Sequence, residues 1–262
     1  MTDWLELCRA AAEDVRGVLG EMPTRLEREP VLRQGEGGDD TTAIDAAAER
    51  VVLDRFRPLG VSIVSEEVGV VDGNETVVVV DPIDGSLNAK RGIPFFSVSI
   101  AVADGRRLED VHFAYVYDFG SGEEWTARRG EGAWLDGEPL GGVRPKERIE
   151  ILSFEATLTT LVAERAAAFE GIAHRLRVMG SLALSLCHLA AGRVDGVCSL
   201  KEARSVDIAA AQLLCSEVGI AMALFDDPRP FGDAELDLEK RSRIAAAGTP
   251  ELCRRIADAL SV

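Results

Sequence analysis

The sequence predicts an α+β fold in which helices layer against sheets. Three observations predict it. Segments of helical and strand period alternate at both ends of the chain. The middle, residues 95–135, reads as consecutive short strands joined by turns. The 262 residues, 47% hydrophobic and 28% charged, are enough to bury a substantial core. No internal repeat interrupts the pattern. A single unit over 1–262 is expected, with sub-regions 1–145 and 146–262 meeting near Gly141-Gly142 to Lys146.

Apolar Trp4, Leu7, Ala11, Val15, Val18 and Leu19 fall at helical spacing, which predicts a helix over 3–20 capped by Thr2 or Asp3. Residues 30–40, with Gly35, Gly37 and Gly38 among acids, read as a mobile loop. Thr41 or Thr42 then opens a helix over 42–56. Val61–Val64 is a short strand ending on Ser65-Glu66-Glu67, and Val77–Val80 is a buried strand followed by a turn-helix at 86–90. Residues 95–104, 110–117, 123–128 and the stretch around Ala133–Leu135 form a meander, with Asp118–Gly122 as one of its turns. Beyond it come strand Ile149–Ser153, helix 157–170, strand Leu176–Met179, helix 181–191, strand Val194–Ser199, helix 205–217, short strands, and a last helix over 250–260.

Composition excludes several functions. A net charge of −16 argues against nucleic acid or an anionic membrane as partner. No apolar run is long enough to span a bilayer, and Met1-Thr2-Asp3-Trp4 does not open a signal peptide, so a cytoplasmic protein is expected. Five scattered cysteines without a C-x-x-C pair, and only three histidines, argue against a zinc site, and the cysteines read as buried free thiols. Cys187 and Cys198 are the pair a redox role would use.

The chemistry sits in the carboxylates. Asp81 and Asp84 end the four-valine strand, and no Lys or Arg follows until Lys90. Hard divalent cations take oxygen ligands, so the two read as metal ligands. The Gly85 and Ser86 N–H groups beside them read as an anion seat. If the strands ending at Ser65 and Val80 are neighbours, Glu66, Asp81 and Asp84 meet at one edge. Several anions there cost several kcal/mol, about that order, unless cations neutralise them. Asp45 and Asp207 sit near helix starts; taken alone, Asp207 is equally a first-turn charge on the helix dipole.

Read in order, these segments resemble the inositol monophosphatase/fructose-1,6-bisphosphatase superfamily of Mg²⁺-dependent phosphatases. Thr41-Thr42-Ala43-Ile44-Asp45 is similar to its T-x-x-D helix start, and Ser65-Glu66-Glu67 to its E-E metal segment. Asp81-Pro82-Ile83-Asp84-Gly85-Ser86 is similar to the highly specific D-P-[IL]-D-G-[TS] signature, and Ser205-Val206-Asp207-Ile208-Ala209-Ala210 to the C-terminal one. Val178–Ser181 and Ala191–Gly196 fit the stretch between, and Gly92–Ser99 resembles the archaeal, dual-activity branch.

The resemblance implies an α-β-α-β-α sandwich in a homodimer or homotetramer. It implies two or three Mg²⁺, with Mn²⁺ as the alternative ion, on Glu66, Asp81, Asp84, Asp207 and the carbonyl of Ile83. It also implies a catalytic set of Glu66, Ser86 linked to Asp45, and Thr42. A phosphate grip would come from Asp84, Gly85 and Ser86, with Gly180 and Ser181 nearby and Arg177 as a basic substrate contact. The substrate class is a small phosphorylated polyol or sugar, inositol-1-phosphate and/or fructose-1,6-bisphosphate.

Three positions depart from the family pattern. Ser86 replaces a common Thr, Gln34 a Lys, and Leu200 an Arg; Lys201 or Arg204 would then supply the phosphate contact. Other readings fit less well. A haloacid-dehalogenase-type enzyme needs D-x-D-G, one residue shorter than D-x-x-D-G-S here. A 3′-phosphoadenosine 5′-phosphate phosphatase of the same superfamily is the alternative substrate reading, but its extra adenine-contacting segments do not stand out. All four acidic positions are present, which disfavours a non-catalytic phosphosugar-binding protein. No EF-hand or P-loop motif occurs.

Overall fold

The computed structural model describes residues 2–142, 148–155, 158–227, 229–239 and 242–261. Helix α1 (Trp4–Glu21) is capped by Asp3, whose side chain accepts from Glu6 N at 3.2 Å. A single turn, α2 (Arg25–Arg28), leads to strands β1 (Val31–Gln34) and β2 (Asp40–Thr42). These two correct the expectation of a mobile loop over 30–40: they pair antiparallel, Gln34 opposite Asp40. The glycines belong to the hairpin turn, closed by Gly35 N on Asp39 O at 2.9 Å, and strands this short carry no readable alternation. Helix α3 (Ala43–Phe56) starts from a Thr42/Asp45 capping box.

The first large sheet is built from β3 (Ser62–Ser65), β4 (Gly69–Val71), β5 (Val77–Asp84), then α4 (Ser86–Arg91) as a break, β6 (Ser97–Ala103), β7 (Val111–Asp118), β8 (Glu124–Arg128), β9 (Gly132–Leu135) and β10 (Glu138–Pro139). Its order is β10-β9-β8-β7-β6-β5-β3-β4. The meander is antiparallel, as its turns predicted. β3 and β5 run parallel, Ser65 opposite Val80, so both carboxyl ends open at the same edge.

The second sheet takes β11 (Ile149–Glu155), α5 (Thr159–Arg165), β12 (Ala173–Arg177), α6 (Leu182–Ala190), β13 (Gly196–Ser199), α7 (Ser205–Glu217), β14 (Ala221–Leu224), β15 (Ile244–Ala247) and α8 (Pro250–Leu260). Its order is β12-β11-β13-β15-β14. The helix expected over 157–170 is shorter. Its α part is Thr159–Arg165 and a 3₁₀ turn, Ala166–Phe169, completes it. Residue 157, where it was expected to begin, lies outside the described residues, as do 143–146 of the expected boundary. The edge strand β12 begins three residues and ends two residues earlier than expected, because a half-exposed edge leaves only weak alternation in the sequence.

Strand periodicity explains the layering. Val78 and Val80 face α1 and α3 in one core, with Cys8, Val15, Val52 and Phe56. Val77 and Val79, on the opposite face, pack into a second core with Leu184, Leu189, Ile208 and Leu214 of α6 and α7. Ile244 and Ala246 of the second sheet join that same core, while Ala245 and Ala247 face Leu252 and Ile256 of α8. The order helix–sheet–helix–sheet–helix is the five-layer arrangement that the family resemblance implies.

Candidate active site

A cleft of about 320 Å³ opens where the carboxyl ends of β3, β5 and β11 meet the N-terminus of α7. Asp45, Glu66, Asp81, Ile83, Asp84, Gly85, Ser86 and Asp207 all line it, drawn from four separate stretches of chain. The parallel register of β3 and β5 carries out the juxtaposition: it sets Glu66 beside Asp81 one residue past the last strand pair.

Asp81 is 2% exposed, and its Oδ1 accepts the N–H of Ile83 at 3.0 Å. Asp84 Oδ2 accepts the Ser181 hydroxyl at 2.5 Å and Ala183 N at 2.8 Å. These bonds dock the start of α6 onto the end of β5, joining the two halves of the cleft. Gly85 follows with φ +95°, in the left-handed region. A Cβ there would stand 3.1 Å from Phe95 O and from Phe96 Cβ, so glycine is also required for space. Gly180 is alike, with φ +91° and its N–H on Glu155 Oε2 at 2.9 Å.

Burial sets the electrostatics. Desolvation pushes the Glu66 carboxyl up to about 7, and nearby Asp207 adds to it while Arg204 opposes it. Desolvation likewise pushes Asp84 up to about 7 and Asp81 well above the usual carboxylate range. The cleft concentrates negative charge that only a cation or protons can relieve.

The donor set suits a hard divalent cation. The charged lining is carboxylate-rich, no His or Cys belongs to it, and the buried Oδ1 of Asp45 has no hydrogen-bond partner. Among the described residues no group of three or more His, Cys, Asp or Glu side chains is arranged to hold one ion. A buried guanidinium, Arg204, stands between two of the carboxylates. Its Nη2 donates to Glu66 Oε1 at 2.7 Å and to Asp207 Oδ1 at 2.8 Å.

Several expected contacts are placed differently. Ser86 is not linked to Asp45; its hydroxyl donates to Ile83 O at 2.9 Å, a contact within its own turn. Asp45 Oδ2 instead accepts Thr42 N at 3.0 Å and Thr42 Oγ1 at 2.5 Å, because the helix cap claims it. Arg177 does not line the cleft. It is exposed at the sheet edge and turns back onto Leu176 O at 2.9 Å. Lys201 does line the cleft, and Leu200 beside it is buried. Ser181 caps α6, accepting from Leu184 N at 3.2 Å, and reaches the site through Asp84.

Sequence reasoning missed Glu155. It lines the cleft, is 7% exposed, and accepts Ser185 Oγ at 2.6 Å and Ser153 Oγ at 2.9 Å besides Gly180 N. The signal was present: like Asp81, it is a carboxylate ending an apolar strand. Asp39 and Glu202 at the rim carried no such signal.

The model of the inositol monophosphatase family matches residues 4–261. A fructose-1,6-bisphosphatase/inositol-1-monophosphatase of Thermococcus kodakarensis is 35% identical over 225 residues, 85% of this chain and 84% of its own. One of the same name from Archaeoglobus fulgidus is 32% identical over 250 residues, 94% of this chain and 93% of its own. The solved structure of the MJ0109 gene product, an inositol monophosphatase–fructose 1,6-bisphosphatase, superposes with a TM-score of 0.85 at 28% identity, over 98% of this chain and all of that one. The five layers, the carboxylate-lined cleft and the match over nearly the whole length lead to one conclusion: the chain belongs to the inositol monophosphatase family.

Proposed function

We propose that this phosphatase hydrolyses phosphate monoesters of small polyols or sugars, inositol-1-phosphate and fructose-1,6-bisphosphate among them, with Mg²⁺ as its cofactor. The observation that carries the reading is the set of acidic side chains gathered at one cleft from β3, β5 and α7, beside the Gly85-Ser86 backbone. Glu66, Asp81, Asp84, Asp207 and the Ile83 carbonyl would hold two or three ions, which supply an acidified water and neutralise phosphoryl oxygens. Mn²⁺ suits the same oxygen donors.

The chain's own groups do the rest. Gly85 and Ser86 line the cleft, and their N–H groups would bind the phosphate beside the left-handed turn at Gly85. Ser86 and the Asp45–Thr42 pair, at the cleft, would hold or take up a proton of the attacking water. Asp45 keeps one oxygen free for this, because Thr42 occupies only the other. Lys90 and Lys201, both in the cleft lining, would attract the anionic substrate into an otherwise acidic protein. Five free, buried cysteines fit a reducing cytoplasm. Exposed Leu26 and Leu32 supply apolar surface for the homodimer or homotetramer that the family resemblance implies.

Phosphate release from the two substrates, side by side with Mg²⁺ and with EDTA, tests the reading. Mg²⁺-dependent release from both is expected. Release from neither, with Mg²⁺ or Mn²⁺ present, overturns it and turns attention to a 3′-phosphonucleotide substrate.

A further inference from the structure

Arg204 is a buried cation inside the cluster that is to bind cations. It is 8% exposed and stands at the N-cap of α7. Beyond its bonds to Glu66 and Asp207, its Nε lies 3.3 Å from Asp207 Oδ2, and its own backbone N–H donates to that oxygen at 2.7 Å. Both oxygens of Asp207 are thereby engaged, and one of Glu66. The other terminal nitrogen, Nη1, donates to Gly37 O at 3.4 Å and lies 3.6 Å from Asp39 Oδ2. A Cβ at Gly37 would come within 2.5 Å of Nη1 and 3.0 Å of Glu66 O, so the β1–β2 turn packs closely against both.

We propose that Arg204 is an intramolecular counter-cation that occupies the Glu66–Asp207 side of the metal centre until metal displaces it. The inference rests on the Mg²⁺-dependent reading above. Its physical basis is charge and geometry. One guanidinium can bond two buried carboxylates from its planar fork and offset one of their two charges. Mg²⁺ requires near-octahedral oxygens at about 2.0–2.1 Å, and the guanidinium competes for the same Glu66 and Asp207 oxygens. Three effects follow. Arg204 stabilises the metal-free fold, weakens metal binding because it must be displaced, and links metal loading to the Gly37–Asp39 turn. It is a positioning residue, acting on the reaction through Glu66 and Asp207.

The test uses the metal itself. Mg²⁺ affinity by calorimetric titration, and thermal midpoints in EDTA and in Mg²⁺, would be measured for the full chain and for Arg204→Met and Arg204→Lys. Arg204→Met should melt lower in EDTA yet bind Mg²⁺ about tenfold more tightly, so that its metal-induced rise in midpoint exceeds that of the unaltered protein. Arg204→Lys should fall between. Equal or weaker Mg²⁺ binding by Arg204→Met overturns the inference, because the arginine would then be a clamp that holds the ligands ready for metal. If the unaltered protein binds neither Mg²⁺ nor Mn²⁺, the metal-dependent reading fails and this inference with it. Binding that is present but insensitive to Arg204 sinks the inference alone. Should Arg204→Met not fold, the Nε–H proton of Arg204 in the unaltered protein decides. It should exchange slowly in EDTA and rapidly in Mg²⁺; slow exchange in both overturns the displacement.

Discussion

Asp84 shows how one side chain serves both fold and chemistry. Its Oδ2 is held by Ser181 and Ala183, while the carboxylate faces the cleft. Asp84→Asn keeps an acceptor for those donors but removes the charge a cation needs. Turnover should therefore be abolished while the circular dichroism spectrum and the urea midpoint are retained. Activity above about a tenth of the parent would count against Asp84 as a ligand. Legibility at this scale follows from how local the signal is. Asp81 and Asp84 were readable because a buried strand rarely ends on two uncompensated acids. Arg204 was readable as a charge, and a phosphate contact was assigned to it, but its partner Glu66 is 138 positions away. No local pattern encodes that pairing. Ser86 and Asp45 fail to meet for a similar reason: each is claimed by a nearer backbone or cap group.

Helix α7 carries the site and fills the middle layer. It is buried along most of its length, with Ala209, Ala210 and Ala211 between Ile208 and Leu213. Small residues allow the helix to lie close to sheets on both sides, and an apolar surface all round marks a helix covered on both faces. Its position was therefore legible as a run of apolar residues, and Asp207 at its first turn points to the cleft. The β1–β2 hairpin was not legible, since its strands are too short for periodicity and its glycines signal only a turn. Burial predicts the energetics. Leu214, fully buried between the sheets, packs in the central core, and Leu214→Ala should destabilise by about 2–5 kcal/mol. Leu158→Ala, at a residue 55% exposed, should stay within about 0.5 kcal/mol. Urea unfolding in EDTA measures both; equal losses would mean that the central layer is not packed as described.

At the scale of the whole molecule, the five layers followed from strand alternation and the order of elements, but charge governs how stability responds to conditions. The net charge is −16, and the buried Glu155 carboxyl is raised by desolvation. A group whose folded pKa lies above its unfolded value holds a proton in the folded state that the unfolded chain has already lost. Stability then falls as pH rises through that window, and self-repulsion among the net negative charges acts in the same direction. Glu123 and Asp226 work oppositely. The Arg193 and Arg243 hydrogen bonds hold their carboxyls below the usual range, so the stability they contribute is present above the unfolded pKa and is lost as pH falls through the folded one. The thermal midpoint in EDTA should therefore trace a bell against pH. Salt distinguishes the two limbs. In about 1 M KCl, where the screening length is roughly 3 Å, repulsion between surface charges is removed, and the fall toward roughly pH 9 should flatten. The acid limb should persist, because protonating Glu123 and Asp226 removes their ion pairs at any ionic strength. A midpoint that rises steadily toward alkaline pH in low salt would show that neither repulsion nor the buried Glu155 carboxyl governs the stability of the metal-free protein.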